Sequence, residues 1–177
     1  MSWQDEVVAF WFALDEKQWW NGDPELDETI RQCFGPLWHA QRDLPPESFL
    51  DYEEEALAAV ILFDQFPRNM FRGHADQFST DPLALAIASA AIDRKLDDEL
   101  TEKERGFLYM PFQHSENRAD QERSVLLFTA LGDADQLKYA KLHHDVIARF
   151  GRFPHRNAIL GRLPRPEEVA AGDVVPW

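Results

Sequence analysis

The sequence predicts an all-α fold: about eight or nine short helices, packed as helical hairpins into a compact superhelix similar to tetratricopeptide-repeat proteins, with no sheet. Three observations predict it. Apolar residues recur at helical spacing almost throughout, as in Val7, Phe10, Trp11 and Leu14. Caps and breakers separate the periodic runs at short intervals. No convincing run of alternating apolar and polar residues marks a strand.

The elements follow in order. The first helix is the Val7–Leu14 run, and Asn21-Gly22-Asp23-Pro24 is a turn. Leu26 to Trp38 reads as a second helix, with Asp27 and Glu28 at its positive end and Gly35-Pro36 as a kink or early stop. A third helix spans Phe49 to Gln65, acidic at first and then apolar all round from Ala56 to Phe63. Thr80 caps a fourth, with Asp81 and Pro82 in its first turn. Thr101 and Glu104 have capping-box spacing before a helix that Pro111 ends. Ser115 caps the next, which Gly132 stops; Asp135 starts another, stopped by Gly151. Turns around Asn157–Leu160 and Pro166–Ala170 close the chain.

One phrase occurs twice. Phe63-Asp64-Gln65-Phe66-Pro67-Arg68-Asn69 is echoed by Phe150-Gly151-Arg152-Phe153-Pro154-His155-Arg156-Asn157. Proline lacks an N–H and restricts its predecessor, so Phe66 and Phe153 are expected to leave helical geometry, with Arg and Asn on the following turns. The flanks do not match, so the phrase reads as one helix-end solution used twice and not as a repeat.

At 177 residues the expectation is one domain, residues 1–177. The lone Cys33 excludes an internal disulfide, no apolar run approaches a membrane span, and no secretory signal opens the chain. A cytoplasmic protein is expected. The net charge of −14 argues against nucleic acid as a partner. Charge is uneven, however: residues 1–60 hold 14 acidic and 3 basic groups, whereas Arg149 to Arg165 holds five arginines and no acid.

That arginine cluster directs the search for a site. Arg68, Arg72, Arg152, Arg156 and Arg162 offer forked donors that match carboxylate or phosphate, with Asn69 and Asn157 beside them. The functional reading is a clamp for a small anionic molecule. The structural reading is that these arginines pair with the chain's own acids, such as Asp64, while the asparagines cap turns. His114, Ser115 and Glu116 meet at a helix start, where His114 is a candidate acid or base and Glu116 orients it or accepts an arginine. Gln121 and Glu122 lie further along that helix, Glu122 either turned inward to an arginine or on a solvated face, and His143 lies near the end of the next. No His-x-x-x-His, Glu-x-x-His or cysteine pair signals a metal, and no Walker, dinucleotide or nucleophile-elbow motif occurs. No metal or cofactor is therefore expected. Five of the six tryptophans lie before residue 39, as a packed core or as the lining of a groove for a peptide or protein partner.

Taken together, Phe10-Trp11-Phe12, Asp64 to Asn69, Pro111 to Glu116, and Phe150 to Asn157 followed by Leu160-Gly161-Arg162 resemble the bacterial domain of unknown function family nine-twenty-four over residues 7–168. The resemblance implies the tetratricopeptide-like helical fold and no activity. It implies signature positions at Asp64, Gln65, Arg68, Asn69, Arg72, Asp81, His114, Ser115, Glu116, Gln121, Glu122, His143, Arg149, Arg152, Arg156, Asn157 and Arg162. Arg165 stands where that family usually has Thr or Ser, which removes the usual cap from the last helix. The leading expectation is one polar pocket for an anionic ligand, with acid–base chemistry at His114 and Glu116. The alternative is an interaction module in which the Arg/His/Glu cluster is a structural polar core.

Overall fold

Helical periodicity carries through to the three-dimensional structure, a computed structural model that describes residues 2–175. Among these, α-helices, short 3-10 turns and one π turn account for all regular structure, and there is no strand. No helix among the described residues is long and apolar enough to cross a membrane. The chain divides into two compact units, Met1–Leu108 and Tyr109–Trp177.

In the first unit, α1 (Trp3–Phe12) starts on a capping box between Ser2 and Asp5. A short α2 (Glu16–Trp20) follows. Then α3 (Pro24–Gln41), capped by the Asp23 side chain, continues past Gly35-Pro36. Of the kink or early stop expected there, the stop does not occur. A proline inside a helix costs about 3 kcal/mol. Pro36 faces solvent while Ile30, Phe34 and Trp38 bury the opposite face, each burial contributing about 1.5–3 kcal/mol. Packing therefore outweighs the break.

The first copy of the doubled phrase also differs from expectation. The third helix begins at Glu53, because Pro46–Phe49 forms a 3-10 turn. From there α4 (Glu53–Val60), a π turn (Ile61–Gln65) and α5 (Phe66–Met70) form one continuous rod. Phe66 keeps helical angles, φ −58 and ψ −38. Pro67 is thus inside a helix and not at its end. The π turn widens the coil where the proline ring would otherwise meet the carbonyl one turn back. Pro67 offers that Phe63 carbonyl no N–H, and the Thr80 hydroxyl donates to it instead at 2.7 Å. The Trp38 indole N–H in turn donates to the Thr80 oxygen at 3.2 Å. Thr80 therefore does not cap α6 (Asp81–Asp93) with its side chain, as the sequence had implied. Ala84, Ile87, Ala88 and Ala91 of α6 are fully buried, and their small size lets α6 close on α4. Trp11 and Trp38 are core residues, Trp11 packing against Trp19, Phe66 and Phe107. Trp20 is 60% exposed.

Helix α7 (Glu102–His114) opens on the expected Thr101–Glu104 capping box and passes through Pro111 to His114, so Pro111 does not end it. In the second unit, α8 (Arg118–Leu131) is capped by Asn117, whose side chain accepts from the Ala119 amide. The Ser115 hydroxyl accepts from the Asn117 amide and donates to Asp120 at 2.6 Å, so Ser115 shapes the approach to α8 and does not cap it. Helix α9 (Ala134–Phe150) begins at Asp133 and packs along α8. Gly151, at φ 68, ends it in a left-handed conformation that a side chain would strain. Phe153, at φ −88 and ψ 106, does leave helical geometry. Phe153 and the α9 residues Val146, Ile147 and Phe150 form a buried cluster on which Ala171 and Val174 pack. The last helix, α10 (Pro166–Ala171), lacks the usual hydroxyl cap; the Glu168 carboxylate instead accepts from the Arg165 amide at 2.7 Å.

Candidate functional site

The candidate residues fall into two groups. Arg68, Asn69 and Arg72 belong to the first unit. His114, Glu116, Gln121, Glu122, His143, Arg152, Arg156, Asn157 and Arg162 belong to the second.

The first group is held by the chain's own carboxylates. Arg68 donates to both oxygens of Asp81 at 2.9 and 3.1 Å and lies 3.3 Å from the fully buried Asp64. Arg72 donates to both oxygens of Asp27 at 2.6 and 2.9 Å, and Asn69 donates to Asp27 at 2.8 Å. Burial would raise the Asp27 pKa, but Arg72 and Asn69 outweigh it and hold the carboxyl below its ordinary value. This matches the structural reading of these residues, with the acid on α3 supplied by a residue that the sequence reading treated only as helix-dipole decoration.

In the second group, the C-terminal end of α7 is the organising feature. A helix end leaves carbonyl oxygens without intrahelical donors. The buried Gln121 amide donates to the carbonyls of Gln113 and Ser115, both at 2.7 Å, and of Phe112 at 3.3 Å. The Arg156 guanidinium donates to the carbonyl of His114 at 3.0 Å. Next to this end, Arg162 forms a fork on Glu116 at 2.6 and 2.9 Å, while the Phe153 amide donates to the same carboxylate at 2.7 Å. Burial would raise the pKa of Glu116, yet Arg162 and the Phe153 amide outweigh it and lower it. Glu116 therefore stays ionised at neutral pH, and its chemistry is to position Arg162. Glu168 of α10 accepts from Arg152 at 2.6 and 2.9 Å and from Asn157 at 2.9 Å, and Arg152, aided by the Arg165 amide, lowers its pKa to about 2. Glu122 lies on the exposed face of α8 and pairs with Arg118.

Two imidazoles, His143 and His155, lie against Phe153, and His114 lies beside His143. The rings of His114 and His143 are 6.2 Å apart, and those of His143 and His155 each lie 5.6 Å from the Phe153 ring. The Arg156 guanidinium covers the same ring at 4.5 Å. Burial, reinforced by the charges of His114 and Arg156, lowers the pKa of His143 to about 3. Burial and then Arg156 lower that of His155 to about 4. The His143 Nδ1 lies 2.8 Å from the Tyr139 carbonyl, which can only accept, so Nδ1 carries the proton. At neutral pH both imidazoles are therefore uncharged. His155 was missed by the sequence reading as a site residue; its place inside the second Phe-Pro phrase was the available signal.

A depression of about 690 Å³ opens beside this cluster. Arg162, His155, Asn157 and Glu168 supply its polar floor, Val169 and Val174 part of its apolar wall, and Asp173 stands on its rim. Among the described residues, no group of three or more His, Cys, Asp or Glu side chains is placed to hold a metal ion.

The imidazoles give the protein an acid sensitivity whose sign is fixed. In the unfolded chain both histidines take a proton below about pH 6.5, whereas folded they stay neutral to about pH 4 and 3. The unfolded state thus binds more protons in this window, and stability falls with pH by about 1.4 kcal/mol per unit for each such histidine. His155, partly open to solvent, contributes less than this. Below about pH 4 the depressed carboxylates of Asp27 and Glu116 add to the loss as they protonate. Urea denaturation at pH 7, 6 and 5 is expected to show the decline, and His143→Asn to flatten it; an unchanged midpoint would contradict the neutral-imidazole assignment.

Comparisons with known proteins agree with this architecture. The chain is similar to the solved structure of a protein of unknown function from Agrobacterium tumefaciens: 39% identity over 95% of each chain, with a TM-score of 0.87. A search of curated proteins gives no match. A family model described as a bacterial protein of unknown function, DUF924, matches residues 7–171, and the chain belongs to that family.

Proposed function

We propose that the second unit binds a small carboxylate-bearing ligand in the depression floored by Arg162, His155 and Asn157. One observation carries this reading: the concavity joins an apolar wall to a few convergent polar groups, the usual make-up of a small-molecule site. Of the charged groups that line the depression, Arg162 is the cation, and Glu168, which also lines it, is already engaged by Arg152 and Asn157 while Asp173 is the second carboxylate. Arg162 is held by Glu116 with its position set, which lowers the ordering cost of meeting a ligand.

The test is thermal denaturation with acetate, hexanoate and inorganic phosphate at pH 7. A ligand at about one hundred times its Kd adds about 2.7 kcal/mol to the folded state. Hexanoate is expected to raise the melting temperature, and His155→Ala to reduce that rise. No rise with any of the three at up to about 20 mM would reject the reading.

A second reading is favoured by exposed apolar groups. Trp20 is 60% exposed and stacks parallel to Phe107 at 6.1 Å in the first unit, and Leu163 is 87% exposed in the second. Such groups mark interaction surfaces when they gather into a patch. If the three anions fail, a protein-interaction module is the function that remains.

A further inference from the structure

The depression has a wall that is held differently from the rest of the unit. Helix α10 is tied down through Glu168, which receives bonds from Arg152, Asn157 and the Arg165 amide. The segment after it, residues 172–175, has no comparable anchor. Among the described residues, no backbone hydrogen bond joins residues 173–175 to anything else. The apolar anchor within it is Val174, partly buried on the cluster of Val146, Ile147, Phe150 and Phe153. Val175 is 46% exposed.

Two further observations define what this segment is. Val174 and Val175 line the 690 Å³ depression on one side and, on the other, a second hollow of about 180 Å³ formed with Leu142, Val146 and Phe150. With an open hollow on each side and only Val174 partly buried, the segment has few packing neighbours. At its root, Gly172 has φ 73 and ψ −150, a region essentially open only to glycine. Nothing lies within 4 Å of where a Cβ would stand, so the glycine is required by its backbone angles and not by crowding.

We propose that residues 172–175 form a strap hinged at Gly172, which lifts from the Val146–Phe150 face and closes again over ligand in the depression. The closing half of the proposal rests on the ligand reading above; the lifting half does not. With the strap lifted, the two hollows join into one groove. Its floor is Val146, Phe150 and Phe153, and its polar end is His155, Arg162 and Glu168, the last already bonded to Arg152 and Asn157. Such a groove takes a carboxylate with an apolar tail, the tail lying along the apolar floor with the strap closed over it. Few contacts and no backbone bonds are what a locally opening segment requires.

The test places a reporter under the strap. Val146→Cys, made with Cys33→Ser so that the reporter is the sole thiol, is treated with an aromatic disulfide reagent and its reaction rate followed. Adding Val174→Ser removes the apolar anchor, and the rate is expected to rise about tenfold with no comparable change in amide exchange within α9. A rate unaffected by Val174→Ser, or one that matches global unfolding measured by amide exchange, overturns the strap. In the same assay saturating hexanoate is expected to slow labelling by holding the strap down. Hexanoate that binds by calorimetry but leaves the rate unchanged removes the closing step. Hexanoate that does not bind removes the ligand reading and the closing step with it, while the labelling comparison still decides the hinge.

Discussion

Arg68→Met is expected to destabilise the protein by about 3–5 kcal/mol, because it removes the guanidinium that meets the buried Asp64 carboxylate. Asp64 has no exposed surface, and Arg68 bridges it to Asp81. Methionine fills much of the volume, so the loss reports charge more than packing. The companion change identifies the mechanism. Arg68→Met with Asp64→Asn also removes the carboxylate charge that Arg68 meets, and more than half of the lost stability is expected to return. pH gives a second check. In Arg68→Met the carboxylate becomes easier to protonate in the folded state than in the unfolded chain. The folded state then takes up more protons as pH falls, and the deficit relative to the parent narrows in acid. Urea denaturation of the three proteins at two pH values measures both effects. A loss below about 1 kcal/mol in Arg68→Met would mean that water already reaches Asp64.

Phe153→Ala is expected to cost a similar amount, about 3–5 kcal/mol, for a different reason. The Phe153 ring is fully buried and is shared by the α9 cluster, two imidazoles and a guanidinium. Removing it leaves a cavity lined partly by polar groups, which admits water. Hydration then relieves the burial that lowers the pKa of His143 to about 3, and its titration is expected to move up toward the ordinary range. Histidine ring resonances followed against pH measure this directly. Phe153→Leu, which keeps most of the volume, is expected to cost much less and to leave the titration low. If Phe153→Ala melts lower while His143 still titrates near 3, then packing of α9 alone, and not the Phe153 ring, keeps the imidazole dry.

Much of this was legible in the sequence for physical reasons that can be named. Helices separated by caps were readable because Thr101, Gly132 and Gly151 act within one turn of themselves, whereas α9 is capped by Asp133, two residues before the expected start at Asp135. The prolines were not. Pro36, Pro67 and Pro111 each announce a local break, and each lies inside a helix, because tertiary burial and a side chain far away in sequence decide the outcome. The arginines were legible as a cluster and illegible in their partners. Which acid meets Arg152 depends on where α10 docks, and nothing near Arg152 names Glu168. His155 and the depression beside it depend on the path of residues 153–175, which is set by packing and not by periodicity.

The bond from Thr80 to the Phe63 carbonyl has an evolutionary consequence. Residues 67 and 80 are not independent letters. A lineage that replaces Pro67 regains a backbone amide one turn from that carbonyl, and loss of the hydroxyl at 80 then strands only the Trp38 indole N–H. A lineage that first loses the hydroxyl at 80, while keeping the proline, strands that donor and a buried acceptor together. One order of substitution costs less than the other, which passes through a weaker ancestor. Among descendants of this sequence the two positions should drift as a pair, with the change at 67 coming first.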